Sequence, residues 1–314
     1  MEVRQLEIFR ALAGELNFTR TAERVNTVQS NVTAQIKALE EELGTKLFDR
    51  LAKSVVLTDA GRRFLPYAER ALCTMDEGVR VVRSGSEPEG TLTIGSPESV
   101  LTYRLPEVLR GFQKKYPKVE LQFRPYWDGS VIAELENGNL DVAIVMSSNA
   151  DWPQTKSIKL GMERILVLGE PGHPLAKQKA VRPEDIAGQT MLLTETGCGY
   201  RRKFERAMAA TNLRLGNVTE FSSVEAIKQC MMAGMGLGVL PEIVVARELE
   251  SGRLTALKWV GPELDIPIHV VWHKDKWVSP NIAAFLDGLK TWTQGAEDRK
   301  KRPAMNGHRE QAAL

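Results

Sequence analysis

The sequence predicts an α/β protein with a small helical N-terminal domain, a long connecting helix and a larger α/β part. Three observations predict this class. Apolar residues recur at helical spacing from Val3 to about residue 83. The segment SGSEPEG at 84–90 then interrupts the pattern with turn-forming residues. Beyond it, short apolar strands alternate with helices to about residue 294.

Length and composition are those of a globular protein with more than one core. The chain has 314 residues, of which 43% are hydrophobic and 26% charged, and its net charge is +2. Three distant cysteines give no disulfide framework, which favours a reducing compartment. No apolar run reaches the roughly 18–20 residues that span a bilayer, and the N-terminus lacks the pattern of a secretory signal. We therefore expect a cytoplasmic protein without a membrane partner.

The first thirty residues predict two helices and a tight turn. The first helix has an apolar stripe that recurs every three residues, at Val3, Leu6, Phe9 and Leu12. Asn17 or Thr19 is expected to cap a short second helix at about 20–25. Asn26 tolerates the left-handed backbone of a tight turn, and Thr27 is expected to cap the next helix.

The third helix combines an apolar stripe with a polar face. The stripe consists of Val32, Ile36, Leu39 and Leu43, and Gly44 suits the end of the helix. The polar and small side chains outside the stripe are Gln29, Ser30, Asn31, Thr33, Ala34 and Lys37. A helix, a tight turn and a second helix form a helix-turn-helix, whose second helix enters the major groove of DNA. Side chains of these types can bond base edges, and the alternative is a solvated face on a small helical domain.

The stretch KLFDRLAKSVVLTDAG, residues 46–61, is typical of a charged β-hairpin. Arg50 and Lys53 lie near its tip, where a wing would contact phosphates. The run FTRTAERVNTVQSNVTAQIKALEEELGTKLFDR, followed by LTDAGRRF, resembles the N-terminal domain of LysR-type transcriptional regulators. The resemblance covers residues 1 to about 65 without a gap. Thr21 departs from the usual alanine and Thr33 from the usual serine, and both remain small. The resemblance implies binding of double-stranded DNA by a winged helix-turn-helix.

The connecting helix carries a heptad-like seam. Its apolar residues alternate at spacings of three and four, at Leu65, Ala68, Leu72, Met75, Val79 and Val82. This pattern favours pairing with a second copy, and the alternative is packing against its own domain. The resemblance likewise implies a linker helix through which a homodimer forms. It further implies assembly into a homotetramer and leaves RNA polymerase open as a partner.

The remaining two hundred residues predict two α/β lobes. Nearly continuous apolar runs such as NLDVAIV are typical of parallel strands covered on both faces. The first lobe is expected to contain strands at 91–95, 119–124 and 141–146 and helices at about 98–116 and about 130–137. The resemblance implies an effector domain similar to periplasmic binding proteins, with two crossovers. No cofactor is expected, only a small-molecule effector.

These patterns divide the chain as follows. We expect a winged helix-turn-helix domain at 1–60, a linker helix at 58–84, a hinge at 85–90, an effector domain at 91–295 and a disordered tail at 296–314. Within the effector domain, lobe I comprises 91–161 and 266–295, and lobe II comprises 162–265.

Candidate effector contacts follow from strand-to-helix turns, where hydroxyls and free N–H groups meet ligands. In lobe I they are Ser96, Ser99, Thr102, Ser130 and Ser147, and in lobe II they are Thr194, Thr196, Cys198, Tyr200 and Arg201. Helix capping is the alternative role for each hydroxyl. The planar guanidinium of Arg201 can donate to both oxygens of a carboxylate, so we expect it to bind a small anionic metabolite. The alternative role for Arg201 is a surface ion pair.

Other functions find less support in the sequence. The four histidines lack metal-ligand spacing, and no motif of a nucleotide-binding loop or a nucleophilic serine is present, so neither a metal site nor an enzyme is expected. A redox-responsive regulator using Cys198 is an alternative, because a helix N-terminus favours a thiolate. A second alternative is a small-molecule-binding protein without a regulatory role.

Overall fold

The computed structural model describes residues 1–51, 54–83, 87–124 and 130–300. The N-terminal domain comprises α1 (Val3–Glu15), α2 (Phe18–Arg24), α3 (Gln29–Leu43), β1 (Phe48–Leu51) and β2 (Ser54–Leu57). The two strands pair antiparallel, with Phe48 opposite Leu57, and confirm the predicted hairpin. The ring of Phe9 in α1 lies 5.5 Å from that of Phe48, which fixes the hairpin on the helices.

The turn between α2 and α3 confirms one prediction and corrects two. Asn26 has a left-handed φ of 51°. The second helix begins two residues earlier than predicted, because the Asn17 side chain accepts a hydrogen bond from the Arg20 N–H. Val28 occupies the cap position of α3, so Thr27 is not its cap. The Thr27 hydroxyl instead accepts a hydrogen bond from the Asn31 amide.

A single long helix, α4 (Asp59–Arg83), leaves this domain with Pro66 inside its first turns. The predicted seam divides into two halves. Ala68 and Leu72 are buried in the core of the N-terminal domain. Met75, Val79 and Val82 are exposed, the last by 86%. The first half of the seam therefore packs on its own domain, and the residues of the second half are 48–86% exposed.

The first α/β lobe is built on a five-stranded sheet in the order β4-β3-β5-β12-β6. Its elements are β3 (Gly90–Gly95), α5 (Glu98–Tyr103), α6 (Pro106–Lys115), β4 (Val119–Arg124), α7 (Val131–Glu136), β5 (Val142–Met146), β6 (Thr155–Glu163), β12 (Ile266–His273) and α12 (Pro280–Lys300). The single helix predicted at about 98–116 is two helices, because Pro106 lacks an N–H and starts a new one.

The second lobe has a five-stranded sheet in the order β11-β7-β10-β8-β9. Its elements are β7 (Ile165–Gly169), a short 3-10 helix (Pro174–Lys177), α8 (Pro183–Ala187), β8 (Thr190–Thr194), α9 (Gly199–Ala209), β9 (Asn217–Phe221), α10 (Val224–Met232), β10 (Leu237–Pro241), α11 (Glu242–Glu250) and β11 (Thr255–Ala256).

Both sheets are mixed. The predicted parallel pairing is present between β3 and its neighbours β4 and β5, and between β8 and its neighbours β9 and β10. In the first sheet β12 runs antiparallel to β5 and β6. In the second, β7 runs antiparallel to β10 and β11. A buried apolar run does not encode direction, so the sequence pattern could not distinguish these cases.

Two crossovers join the lobes. The first follows β6, which ends at Glu163, two residues beyond the predicted boundary at 161/162. The second precedes β12. The Asp265 carboxylate accepts a hydrogen bond from the Ile165 N–H, at 3.3 Å, so the crossovers lie side by side. Arg104 makes a two-pronged contact with Glu163, at 2.9 Å and 3.0 Å, beside the first crossover.

The C-terminal helix is longer than predicted. The sequence places its end at 294 and a disordered tail from 296, but α12 continues to Lys300. Residues 296–300 include alanine, glutamate, arginine and lysine, which favour helix. The helix α12 therefore continues through this polar segment. The rest of the predicted tail, 301–314, lies outside the described residues.

Candidate functional site

The third helix is held by its apolar stripe. Val32, Ile36 and Leu39 are at most 1% exposed and lie in the core of the N-terminal domain. Leu43, the last predicted member, is 37% exposed and lies beyond this core. Gly44 follows in a left-handed conformation, with φ of 66°, and ends the helix as predicted. The stripe therefore fixes the orientation of the opposite face.

The opposite face is polar and accessible. Gln29, Ser30, Ala34 and Lys37 are exposed, and Asn31 and Thr33 are half-buried at the flanks. The Gln29 side chain accepts a hydrogen bond from the Thr19 hydroxyl at 3.3 Å. Lys37 Nζ lies 3.4 Å from the Glu41 carboxylate, an exposed pair that solvent and salt weaken. These contacts orient the side chains and leave most of the face open.

The hairpin lies directly after this helix. Arg50 stands opposite Val55 in the β1–β2 register, next to the turn, which confirms its predicted backbone position. Its side chain is outside the description, and Lys53 lies outside the described residues altogether. The predicted phosphate contacts of both residues therefore stay predictions.

Sequence reasoning missed the residue that joins α3 to the hairpin. Glu40 stands at the head of an acidic run but is only 6% exposed. Its carboxylate accepts hydrogen bonds from the N–H groups of Leu47, at 2.9 Å, and Phe48, at 3.2 Å. Lys46 Nζ lies 2.9 Å from the same carboxylate. The helical position, one residue after buried Leu39, is the only sequence signal that distinguishes Glu40 from its neighbours.

A second set of hydrogen bonds connects the hairpin to α4. The Thr58 hydroxyl donates to the Lys46 carbonyl at 2.7 Å and accepts from the Gly61 N–H at 3.0 Å. A Cβ on Gly61 would collide with the Leu47 carbonyl oxygen. Thr58 and Gly61 of LTDAG are therefore needed where the hairpin meets the long helix.

In the α/β part, a small cavity lies where three strands end and three helices begin. These are β3 with α5, β8 with α9, and β9 with α10. The cavity has a volume of about 130 Å³ and lies between the two lobes. It is lined by Pro97, Glu98, Ser99, Met146, Thr194, Glu195, Gly197, Cys198, Gly199, Tyr200, Phe221, Ser222 and Val224.

Four of the ten predicted effector contacts line this cavity, namely Ser99, Thr194, Cys198 and Tyr200. The other six lie elsewhere. Thr102 is exposed on α5, Ser130 occupies the N-cap position of α7 without a side-chain cap hydrogen bond, and the Ser147 hydroxyl donates to the Asn149 carbonyl at 2.6 Å. Ser96 is buried and bonds the Pro97 carbonyl, and Thr196 donates to Glu220 at 2.9 Å.

Arg201, the predicted carboxylate grip, is committed to other partners. The residue is 8% exposed. Its guanidinium pairs with the carboxylates of Glu205 and Glu220 and donates to the Thr194 carbonyl. These hydrogen bonds hold the pKa of the Glu220 carboxyl below its usual range. The structure thus shows Arg201 in ion pairs, as the alternative interpretation proposed, because two nearby carboxylates already bond its guanidinium.

The buried wall of the cavity is polar. Burial raises the pKa of the Tyr200 hydroxyl well above its ordinary range, so this group is a neutral donor at neutral pH. Thr194 is 8% exposed, and its hydroxyl makes no hydrogen bond of ordinary geometry. It nevertheless lies near enough to Tyr200 to lower the pKa of that phenol slightly. No side chain caps α9, whose first residues line the cavity.

One contact crosses the cavity between the lobes and was not predicted. Glu98 in lobe I accepts a hydrogen bond from the Val224 N–H, at 3.3 Å, at the start of α10 in lobe II. A glutamate before a serine at a helix N-terminus suggests only a charge in the first turn, so this bridge between the lobes could not be predicted from the sequence.

A second, larger cavity of about 410 Å³ lies where α4 meets lobe I. Glu77 and Val79 of α4 line it together with Trp277 and a buried ion pair. That pair is Lys276 and Asp141, 2.9 Å apart. The Glu77 carboxylate accepts a hydrogen bond from the Trp277 N–H at 2.7 Å, which ties the long helix to the lobe.

The described part of the chain shows neither a membrane-spanning helix nor a metal-ligand cluster. None of its helices is long and apolar enough to cross a membrane. Within the same residues, His, Cys, Asp and Glu form no group that could hold a metal ion. Cys73, Cys198 and Cys230 are not in disulfides.

Comparison with known sequences places both parts of the chain in one family. Residues 3–62 match the bacterial regulatory helix-turn-helix protein, lysR family, and residues 85–294 match the LysR substrate binding domain. The HTH-type transcriptional regulator YwqM of Bacillus subtilis is 40% identical over 290 residues, which is 91% of this chain and 98% of that protein.

Solved structures show the same fold. A full-length OxyR variant from Pseudomonas aeruginosa is 20% identical, with a TM-score of 0.68 over 94% of this chain and 95% of that one. Full-length CbnR in complex with its target DNA is 22% identical, with a TM-score of 0.66 over 93% of this chain and 100% of that one.

Proposed function

The chain belongs to the LysR family of transcriptional regulators, and we propose that it reads a pseudo-palindromic operator under the control of a small metabolite. The observation that carries the DNA-reading role is the polar face of α3. Three buried apolar side chains hold that helix, and its N-terminal half presents short polar groups to solvent. A helix of this kind fits the major groove.

The residues of this face divide into two roles. Gln29, Ser30, Asn31 and Thr33 carry donors and acceptors that suit base edges, and Ala34 can meet a thymine methyl group. Lys37, Arg50 and Lys53 supply the positive charge for phosphates. Because Lys37 is paired with Glu41 in the free protein, we infer that DNA replaces the glutamate as its partner.

The small cavity between the lobes is the proposed effector site. Ser99, Thr194, Cys198 and Tyr200 meet there at the N-termini of α5 and α9, which suits an anionic group on the effector. A ligand in this place contacts both lobes and can therefore change their relative orientation. The function requires no cofactor.

The exposed half of the α4 seam supports assembly. We propose that Met75, Val79 and Val82 pair with the same residues of a second copy and form a homodimer with two recognition helices. The proposal also includes pairing of dimers into a homotetramer, contact with RNA polymerase and a cytoplasmic location. All are consistent with a DNA-binding regulator.

The first prediction tests DNA reading by a gel shift. The probe is the DNA directly upstream of the protein's own gene, at low salt, where the phosphate contribution is largest. Gln29→Ala should weaken specific binding by roughly 1–3 kcal/mol, because one base contact is lost. Its matched control is Gln35→Ala, the same substitution on the same helix outside the polar face, which should leave affinity unchanged. Equal effects of the two variants, or no shift with the natural protein, would contradict the proposal.

A further inference from the structure

The cavity between the lobes has a charge pattern that narrows its ligand. We propose that this cavity binds a small zwitterion with the headgroup of an α-amino acid. This inference rests on the proposed effector site. The ammonium group of the zwitterion faces Glu98 and Glu195, and its carboxylate faces the first turn of α9. An anion without an amine would fit this cavity less well.

Two carboxylates line the cavity without a cationic partner among the described residues. Glu98 and Glu195 both line it, from different lobes. Among the residues that the structure describes, no lysine or arginine pairs with either carboxylate, and none is part of the lining. Within the described chain, one Glu98 carboxylate oxygen accepts a hydrogen bond from the Val224 N–H, and the second oxygen has no partner there. A protonated amine supplies the missing charge and several donors.

The N-terminus of α9, in lobe II, attracts negative charge. The helix α9 is eleven residues long, and no side chain caps its N-terminus. Its first N–H groups therefore carry the partial positive charge of the helix end. The buried Thr194 hydroxyl, which lines the same cavity, lacks a hydrogen bond of ordinary geometry. A carboxylate on this side would accept from the helix end and from that hydroxyl.

Close packing keeps this helix end bare. A Cβ on Gly199 would collide with the carbonyl oxygen of Met146, at the end of β5 in the other lobe. The first residue of α9 therefore presents only backbone to the cavity. A side chain could not be introduced at this position without moving the lobes.

An anion alone would lack a cationic partner. Arg201, the nearest guanidinium in the sequence, is already paired with Glu205 and Glu220. A simple carboxylate would thus meet the helix end but also two uncompensated glutamates. A zwitterion can place its ammonium group near the two carboxylates and its own carboxylate near the helix N-terminus.

Size and lining limit the rest of the ligand. The volume of about 130 Å³ is well below the roughly 300–1,000 Å³ of pockets for drug-sized ligands. Met146, Phe221 and Val224 supply apolar surface beside the polar walls. This lining suits an amino acid with a short and partly apolar side chain.

The second prediction is tested by calorimetry and thermal unfolding of the full-length protein. The probes are the common α-amino acids, each with two analogues, the acid without the amine and the amine without the carboxylate. We expect at least one short-chain amino acid to bind and raise Tm, and its analogues to bind at least tenfold more weakly. Glu98→Gln keeps the acceptor for Val224 but removes the charge, and should weaken binding about 10- to 100-fold.

The control is Glu107→Gln, which removes an exposed carboxylate from the first turn of α6 in the same lobe and should not change binding. The proposal is overturned if no amino acid binds, if a des-amino acid binds as tightly, or if Glu98→Gln binds like the natural protein. The gel shift with upstream DNA, run on the same preparation, separates these outcomes from a failure of the regulator function. That shift does not depend on the charge of the effector.

Discussion

Glu40, Glu41 and Glu42 are consecutive in sequence but differ in their surroundings. Glu40 lies under the hairpin and accepts two backbone N–H groups, whereas its neighbours are exposed. A buried carboxylate that satisfies backbone donors is costly to remove, because those donors remain buried without partners. This residue thus couples the position of the hairpin to the end of the recognition helix.

The third prediction concerns this joint. Glu40→Ala should destabilise the N-terminal domain by about 1.5–3 kcal/mol, because hydrogen bonds to a charged group are lost. Amide hydrogen exchange should become faster at Leu47 and Phe48. Glu41→Ala removes only an exposed pair and should cost under about 1 kcal/mol. Unchanged exchange at the two amides in Glu40→Ala would refute the role.

The fourth prediction is a pH dependence at His269 in β12. Burial, and then the charge of Lys159, lower the pKa of this imidazole below its ordinary value of about 6.5. The folded protein therefore binds the proton less well than the unfolded chain. The stabilising contribution is complete above about pH 6.5 and is lost as the pH falls towards the lowered value, by at most about 1.4 kcal/mol per pH unit.

Thermal unfolding between about pH 8 and about pH 5 tests it. His269→Gln should lose less Tm on acidification than the natural protein, since it has no proton to take up there. His173→Gln is a comparison for histidine loss elsewhere in the domain. An equal acid-dependent loss in His269→Gln and the natural protein would show that this imidazole contributes nothing.

Single residues were predictable where local backbone geometry decides. Asn26 and Gly44 were identified because few residue types accept a left-handed backbone. Arg201 was predicted as a ligand contact, and the structure pairs it with Glu205 and Glu220, which reach it by helical spacing and by strand pairing. The sequence shows the first relation but not the second. Glu98 was overlooked for a similar reason, since its partner lies in the other lobe.

At the scale of elements, α4 has two roles divided along its length. Ala68 and Leu72 belong to the core of the N-terminal domain, and the later seam residues are exposed. Both halves show the same spacing, so the pattern alone predicts one continuous interface. Only the position of the N-terminal domain reveals where the internal contact ends and the exposed seam begins.

The fifth prediction addresses the exposed half of the seam. Val82→Glu should shift the full-length protein from dimer towards monomer, because a charge would be buried between paired helices. Sedimentation velocity over a range of concentrations measures the shift, which we expect to exceed tenfold in the dissociation constant.

Arg70→Glu is the comparison variant for this element. It changes charge on an exposed residue that lies away from the seam. We expect it to sediment like the natural protein. If both variants dissociate alike, net charge explains the result; if Val82→Glu remains fully dimeric, the seam is not the interface.

At the scale of the whole molecule, the sequence predicted the parts better than their arrangement. Apolar periodicity identified the N-terminal helices, the linker helix and most strands, and the family resemblance implied two lobes. The antiparallel strands β6 and β12 were not predicted as such, since strand direction depends on contacts far apart in sequence. Of the candidate pocket residues, four line the cavity between the lobes, and their contact with an effector stays a prediction; Ser96, Ser147 and Thr196 make local hydrogen bonds.

The linker helix is attached to lobe I as well as to the N-terminal domain. Cys73 packs so closely on Gly138 that a Cβ there would collide with its sulfur. One turn later, Glu77 bonds the Trp277 N–H at 2.7 Å. Burial, and then the charge of Glu134 in α7, raise the pKa of Glu69 on the same face. The lobe that lines part of the proposed effector cavity therefore touches the helix that leads to the DNA-binding domain.

The paired crossovers have a mechanical consequence. A single connecting strand would let one lobe swivel in any direction relative to the other. We expect two connections that lie side by side, tied by the Asp265–Ile165 hydrogen bond, to resist torsion more than bending about one axis. Binding of the proposed effector would then act mainly on one degree of freedom, which the attached helix would transmit without averaging over many orientations.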